Sequence, residues 1–518
     1  MLKEYSRTKN SMFNVLSGLG GQLLNIILKF VCRTIFIQTL GVEYLGINGL
    51  FSDVLSMLSI AELGFDTAIS FRLYRPIADN NTRKIREYLL FFRTVYRIIG
   101  LFIFCLGLLF IPFLRYVIKD YDSLEGLGVD ASFVFILFLI QNVSSYLFFA
   151  YKSIILRANQ KSYVLNVVGY GITIASNLFQ ILSLLLFKDF TIYLLVLLFF
   201  VILQNLINAR LATHFYPQFF DYQNERLSVA ERKELFKDCA ALFVYKVNNI
   251  VMKATDNIVL SAFVGLTIVG LYSTYLMVFV AVIGILNTTF RAVKASIGNL
   301  FATDDLEKKY FFFEVMNFVT IVLYGTAAVC IAVTSNEFIT CWIGEKYTIP
   351  QPFPLLIGIE LLVTGLKLNL GQIRQVSGIF KQLWYRPVIG SFINVVASII
   401  LVQVWGISGV ITGTLLAYIF ANLMVDPVVI HRYTFKCFKP VRYYYSKNVM
   451  FIVLLGIIGF VAYYLCTMIS IENNILSFLV HLFVCLISVI PFFCLVFRNR
   501  AEFQYLSTVA IKTIRARN

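Results

Sequence analysis

The chain has 518 residues, of which 59% are hydrophobic and only 14% charged, with a mean hydropathy of +0.80. Soluble globular chains carry about 25% charged residues, so this apolar surface is too large for any water-facing core and requires lipid as its solvent. The formal net charge of +16 is accounted for by orientation in a membrane, as the loops show, and excludes nothing and proves nothing about nucleic acid.

In chain order, a polar, mildly basic segment, Met1 to Asn10, precedes a long apolar stretch without a small-residue cleavage pattern at its end. It reads as an uncleaved first span. A span needs about 20 apolar residues, and about fourteen such stretches follow one another: 11–40, 44–71, 88–114, 131–150, 163–187, 190–213, 240–264, 269–290, 311–333, 353–378, 388–405, 409–430, 449–469 and 475–497. With the N-terminus inside, the inner segments hold 33 Lys and Arg residues, whereas the outer loops hold only Arg115, Lys119, Lys188 and Lys346. That asymmetry obeys the positive-inside rule and places both termini in the cytoplasm. The longest stretches between spans, around 217–237 and 115–130, are too short to fold as domains. Nine scattered cysteines form no CxxC pair, and three histidines, His214, His431 and His481, supply neither a metal centre nor a histidine-based catalytic one.

Seven basic residues fall inside spans: Lys29, Arg33, Arg93, Arg97, Lys246, Lys253 and Lys367. Arg374 lies at the inner end of the tenth. Each charge at mid-bilayer costs about 2.5–3.5 kcal/mol on the insertion scale, so these side chains must face protein or water. Arg93 and Arg97 sit near a span end and can snorkel. The others fall on stripes. Asn25, Lys29 and Arg33 recur every four residues; Lys246, Asn249, Lys253 and Asn257 share one face of the seventh span; Glu360, Lys367, Arg374 and Lys381 repeat every seven residues in the tenth. Three basic lines pointed at one hydrated cavity is the simplest arrangement. The plainer alternative is ionic bracing against Asp53, Glu62, Asp66, Asp256 and Glu360.

The first and seventh spans share a spacing. Asn25, Lys29, Gly41 and Gly46 match Asn249, Lys253, Gly265 and Gly270 position for position. Spans an even number apart share orientation, so the match predicts duplicated six-helix lobes related by an axis along the membrane normal. Transporters are commonly built from such repeats, with the substrate held where they meet. The expected organisation is therefore an all-α, polytopic membrane protein with about 14 transmembrane helices. Its lobes would be 1–216 and 217–440, with two further helices and a basic tail in 441–518.

Several motifs carry a resemblance. Leu45-Gly46-Ile47-Asn48-Gly49-Leu50-Phe51 followed by Ala61-Glu62-Leu63-Gly64 is similar to Wzx-type polysaccharide-unit flippases, of the multidrug/oligosaccharidyl-lipid/polysaccharide exporter superfamily. So are Thr255-Asp256-Asn257 leading to Val269-Gly270-Leu271-Tyr272-Ser273, Trp342-Ile343-Gly344, and Gly406-Ile407-Ser408-Gly409-Val410. The resemblance implies a V of two lobes in the bacterial plasma membrane. Alternating access would there move an undecaprenyl-pyrophosphate-linked oligosaccharide from the inner to the outer leaflet for capsule or O-antigen-type polysaccharide. It implies that Lys29, Arg33, Lys246, Lys253, Lys367 and Arg374 meet the pyrophosphate or acidic sugars, and that Asn25 and Asn249 bind sugar hydroxyls. Tyr245, Tyr272 and Tyr275 could add hydroxyl contacts. No cofactor is implied beyond coupling to an H⁺ or Na⁺ gradient, for which Asp53, Glu62, Asp256 and Glu360 are the candidate acids. The lipid bilayer and the polysaccharide polymerase machinery are the implied partners, and nucleic acid is not.

Three rival readings stand beside this one. A lipid II flippase shares the fourteen-span plan and basic cavity. A multidrug extruder of the same superfamily usually lacks the last two spans and favours acids for organic cations. A membrane glycosyltransferase or polymerase needs a sizeable outer loop, paired carboxylates on a scaffold, or a metal site, none of which the sequence offers.

Overall fold

A computed structural model describes residues 24–59, 65–119, 121–126, 128–147, 149–221, 226–301, 305–379 and 381–515. Within these, side-chain surroundings are described except at 65–68, 123, 125, 150, 238, 240–246, 248, 249, 253, 288–299, 381 and 509–515. Among the described residues all regular structure is helical. The longer helices are α1 (24–39), α2 (Val42–Leu58), α3 (Phe65–Ala78), α4 (Thr82–Phe110), α5 (Ala131–Leu147), α6 (Ser162–Phe187), α7 (Phe190–Phe215) and α8 (Val229–Phe263). They continue with α9 (Leu266–Phe301), α10 (Leu306–Trp342), α11 (Phe353–Val376), α12 (Arg386–Trp405), α13 (Ile407–Ala417), α14 (Val441–Met468), α15 (Asn474–Phe497) and α16 (Ala501–Arg515).

The described residues of the fourteen expected spans are mostly helical, with 11–23, 60–64 and 148 lying outside the described residues. Ten of the described segments are by themselves long and apolar enough to cross a membrane, and the chain is a multi-pass membrane protein. Helices dominate because lipid offers no partner to a backbone N–H or C=O, so each must be satisfied within its own segment. Polar caps close the helix starts. Asn81 accepts from Lys84 N at 3.0 Å, Asp189 from Ile192 N at 2.8 Å and Asp305 from Lys308 N at 3.0 Å. Ser228 and Glu231 form a capping box at the head of α8.

Of the stretch expected at 44–71, α2 and α3 are described and 60–64 lie outside the described residues. One span departs from a single rod. The twelfth passes from α13 through a π-helical turn, Tyr418–Leu423, into a short helix, Asp426–Tyr433. The tenth also ends early. α11 stops at Val376, and Gly378 takes φ +68°, a left-handed conformation that costs glycine nothing. Lys381 therefore leaves the stripe that Glu360, Lys367 and Arg374 share.

By contacts the chain divides into two compact units, Met1–Gly270 and Leu271–Asn518. The lobes expected at 1–216 and 217–440 rest on a repeat, which is a different criterion. α8 falls in unit 1 because it packs along α2. Unit 1 otherwise pairs α6 with α7 and α4 with α5; unit 2 pairs α10 with α11 and α15, and α12 with α13.

The repeated glycines meet in unit 1. Gly41 and Gly265 both take positive φ, +104° and +128°, in the turns α1–α2 and α8–α9. Five residues on, a Cβ on Gly46 would lie 2.1 Å from the Leu266 carbonyl oxygen, and one on Gly270 would lie 2.1 Å from that of Val42. Leu266 follows Gly265 as Val42 follows Gly41. Each copy of the motif thus presses its second glycine onto the backbone just after the other copy's first, the reciprocity an isologous contact has. Thr267 Oγ1 donates to Glu43 Oε1 at 3.3 Å across the same contact.

Candidate functional site: charged stripes at membrane depth

In unit 1 the α1 stripe is open at Lys29. Lys29 is exposed, while Asn25 and Arg33 are half-buried. The same helix anchors through Cys32, whose thiol donates to Gln180 Oε1 at 3.8 Å, and through Phe36, edge-on to Tyr193 at 4.9 Å and Phe190 at 6.0 Å. Among the described residues no carboxylate lies within ion-pair distance of Lys29. An ammonium in such a helix has to reach water, because lipid contact would cost several kcal/mol.

Lys246, Asn249 and Lys253 belong to α8, but their side chains lie outside the described ones, and Glu62 lies outside the described residues altogether. The polar stretch that follows is buried: Asp256 and Asn257 are both 6% exposed. Asn257 Nδ2 donates to Asp53 Oδ2 at 2.5 Å, joining α8 to α2. Asp53, a candidate acid from sequence, is thus an acceptor between two packed helices.

Unit 2 carries the α11 stripe. Glu360 is buried, and Lys367 places its ammonium 3.3 Å from the centroid of the Tyr418 ring in the π-helical turn. A ring face attracts a desolvated cation by about 2 kcal/mol or more. Arg374 is buried at the end of α11, and its guanidinium reaches Asp426 Oδ2 at 3.7 Å; Arg386, at the head of α12, reaches the same oxygen at 2.5 Å. Asp426 is 0% exposed and opens its helix ahead of Pro427, where a carboxylate suits the positive end of the helix dipole. Sequence reasoning missed this triad. Arg386 counted as a loop charge, and Asp426 was not singled out, although a lone acid before a proline in an apolar run was the available signal. Arg374 is therefore a bracing group in this structure, and the Lys367 ammonium lies against an aromatic face.

A further network lies at the basic-loop end of unit 2. Lys447 on α14 pairs with Glu314 of α10 at 2.9 Å and with Glu502 of α16, and Lys439 reaches Glu314 at 3.4 Å. Burial works most strongly on the Glu502 carboxylate and pushes it up, but the Lys447 hydrogen bond, a backbone N–H and the charges of Lys447 and Arg500 together hold the group below its ordinary range. Tyr275 is not available to a ligand: its hydroxyl donates to Asn336 Oδ1 at 2.5 Å and accepts from Ile349 N at 3.0 Å. Tyr272, 3% exposed, is likewise inside the packing, and the Tyr245 side chain lies outside those described.

No protein-family model matches the sequence, and no curated protein matches it. Solved structures do. A lipid II flippase MurJ in an inward closed conformation superposes with a TM-score of 0.63 over 94% of this chain and 99% of that one, at 13% identity. An inward-facing multidrug resistance MATE family transporter of the MOP superfamily gives a TM-score of 0.55 over 77% of this chain and 92% of that one, at 12% identity. The chain shares its fold with these two structures, one described as a lipid II flippase and the other as a multidrug resistance transporter. At these identities the likeness speaks to fold alone.

Proposed function

We propose that the protein is a flippase that moves undecaprenyl-pyrophosphate-linked oligosaccharide units from the inner to the outer leaflet by alternating access, with its termini in the cytoplasm. The observation that carries this reading is Lys29, an exposed ammonium on a membrane helix with no described carboxylate beside it. Arg33 stands one turn away. A diphosphate is the part of a lipid-linked sugar hardest to bring through hydrocarbon. Cations in a wet, low-dielectric pathway offset its charge, and lysine does so as a point charge that releases more readily than a bidentate guanidinium. Lys246, Lys253 and Lys367 extend the cationic path in this reading, and Asn25 and Asn249 meet sugar hydroxyls. Arg374 holds the path's scaffold through Asp426. The lobes are 1–216 and 217–440, with the last two helices as an appendage.

A lipid II flippase is the second reading, favoured by the 94% coverage in the superposition on such a protein. The two share a polyprenyl diphosphate and differ in the sugar. The test is complementation of a bacterial strain that lacks its own repeat-unit flippase, with the accumulated lipid-linked intermediate identified by mass spectrometry. Restored surface polysaccharide supports the first reading. Rescue only of a strain lacking its lipid II flippase selects the second, and rescue of neither with protein present in the membrane defeats both.

A further inference from the structure

The end of unit 2 remote from its basic loops holds a polar site that the charged stripes do not use. The last turns of α10, the loop after them and the start of α15 enclose a cavity of about 250 Å³. Its lining includes Asn336, Glu337, Thr340, Glu345, Thr348 and Asn474, and every lining side chain is polar. In a chain 59% hydrophobic such a lining is not incidental packing. It is also held in place. Asn336 is fixed by Tyr275 and by the Ile349 carbonyl oxygen at 3.0 Å, and the Asn474 carbonyl oxygen accepts from the Cys341 thiol at 2.9 Å.

Behind the cavity lies His481 of α15, its side chain 6% exposed. Nδ1 is 2.5 Å from Glu337 Oε1, and Nε2 is 3.1 Å from the carbonyl oxygen of Ile469, just past α14. A carbonyl oxygen only accepts, so Nε2 carries a hydrogen. A neutral imidazole then has a bare lone pair at Nδ1, which cannot lie 2.5 Å from an ionised carboxylate oxygen. One more proton must sit between them, either as imidazolium donating to carboxylate or as carboxylic acid donating to imidazole. The geometry is that of a pair holding a proton beyond neutral histidine and ionised glutamate.

We propose that Glu337 and His481 bind one exchangeable proton, reached through this cavity from the face opposite the basic loops, and that the proton ties α10, α14 and α15 together there. On the orientation proposed above that face is the outer one; the proton inventory itself is independent of the transport reading. Proton loss leaves the Nδ1 lone pair against the carboxylate, and the contact between α15 and α10 opens. The other titratable groups around the pair are Glu345 across the cavity, Cys341 on α10, Cys466 on α14, whose thiol donates to the His481 carbonyl oxygen at 3.8 Å, and Cys485 one turn along α15. Lys346, in the loop, lies 4.9 Å from the centroid of the Tyr347 ring. Glu337's ion-pair partner among the described residues is His481.

The test uses the full chain carrying H214Q and H431Q, so that His481 is the sole imidazole, with ¹⁵N-labelled histidine read by NMR between about pH 5 and 8. The ring nitrogens should show a shared proton at the acid end and a transition on raising the pH, displaced in E337Q. Shifts that stay constant across the interval, or a transition indifferent to E337Q, overturn the proposal. A second measurement leaves Glu337 and every histidine in place. Phe338 of α10 touches both Trp342 and Phe478 of α15, at 5.7 and 5.4 Å between centroids, so Trp342 reports on the α10–α15 contact. In a W384F/W405F chain its emission should change over the same interval, and flat emission counts against the site.

Discussion

Two helices carry basic stripes and use them differently. On α1, Lys29 stands exposed with no described carboxylate beside it; on α11, Arg374 is buried against Asp426, which it shares with Arg386. In the sequence the two look alike, as cations at regular helical spacing in apolar runs. What separates them is whether another element delivers an acid. Periodicity fixes the face a charge occupies, but solvation of that face is decided by what packs against it.

The comparison breaks most readily at Asp426. Removing one member of a buried ion cluster leaves uncompensated charge and costs about 3–5 kcal/mol. D426N should therefore melt far below wild type in detergent, and D426L with both R374M and R386M should recover most of the loss. Wild-type melting of D426N would move Arg374 back among the open cations. A smaller effect, about 1–3 kcal/mol from overpacking, is expected for G46V or G270V, read as a lower thermal midpoint. Because the two glycines share one reciprocal contact, the double variant should lose less than the sum. Smaller again is the change at Glu231, whose side chain is 33% exposed. The hydrogen bond from Lys84 at 2.6 Å holds its carboxyl below the ordinary range, with Ser228 helping. A depressed carboxyl stabilises the fold above its unfolded pKa of about 4.3, and that contribution fades as pH falls through the folded value. An exposed pair contributes under about 1 kcal/mol. Wild type and E231Q should differ slightly at neutral pH and melt together in acid.

Much of the fold was legible because lipid imposes one rule on every span: the described parts of the expected stretches are mostly helical, and the Gly41 and Gly265 turns were visible as a spacing. The reciprocal contact of Gly46 and Gly270 was not, since a spacing records similarity and not adjacency. At the candidate site, the stripes of α1 and α11 were readable up to Arg374. Lys381 was lost to the turn at Gly378, and Tyr275 to partners far away in sequence. The Asp426 triad and the Glu337–His481 pair escaped for the same reason. Each joins residues on different helices, and charge pairing leaves no periodic mark.

Lys29 should matter least for stability, within about 0.5 kcal/mol as at other exposed positions, and most for solvation. The direct measurement is thiol labelling of the full chain in proteoliposomes, after replacing the exposed Cys105, Cys437 and Cys494, with a cysteine placed at either 29 or 374. A charged, water-soluble reagent should modify K29C, with slower modification when a polyprenyl-diphosphate sugar is present, and should leave R374C untouched. K29C that reacts only with a lipid-soluble reagent would contradict a wet cationic pathway.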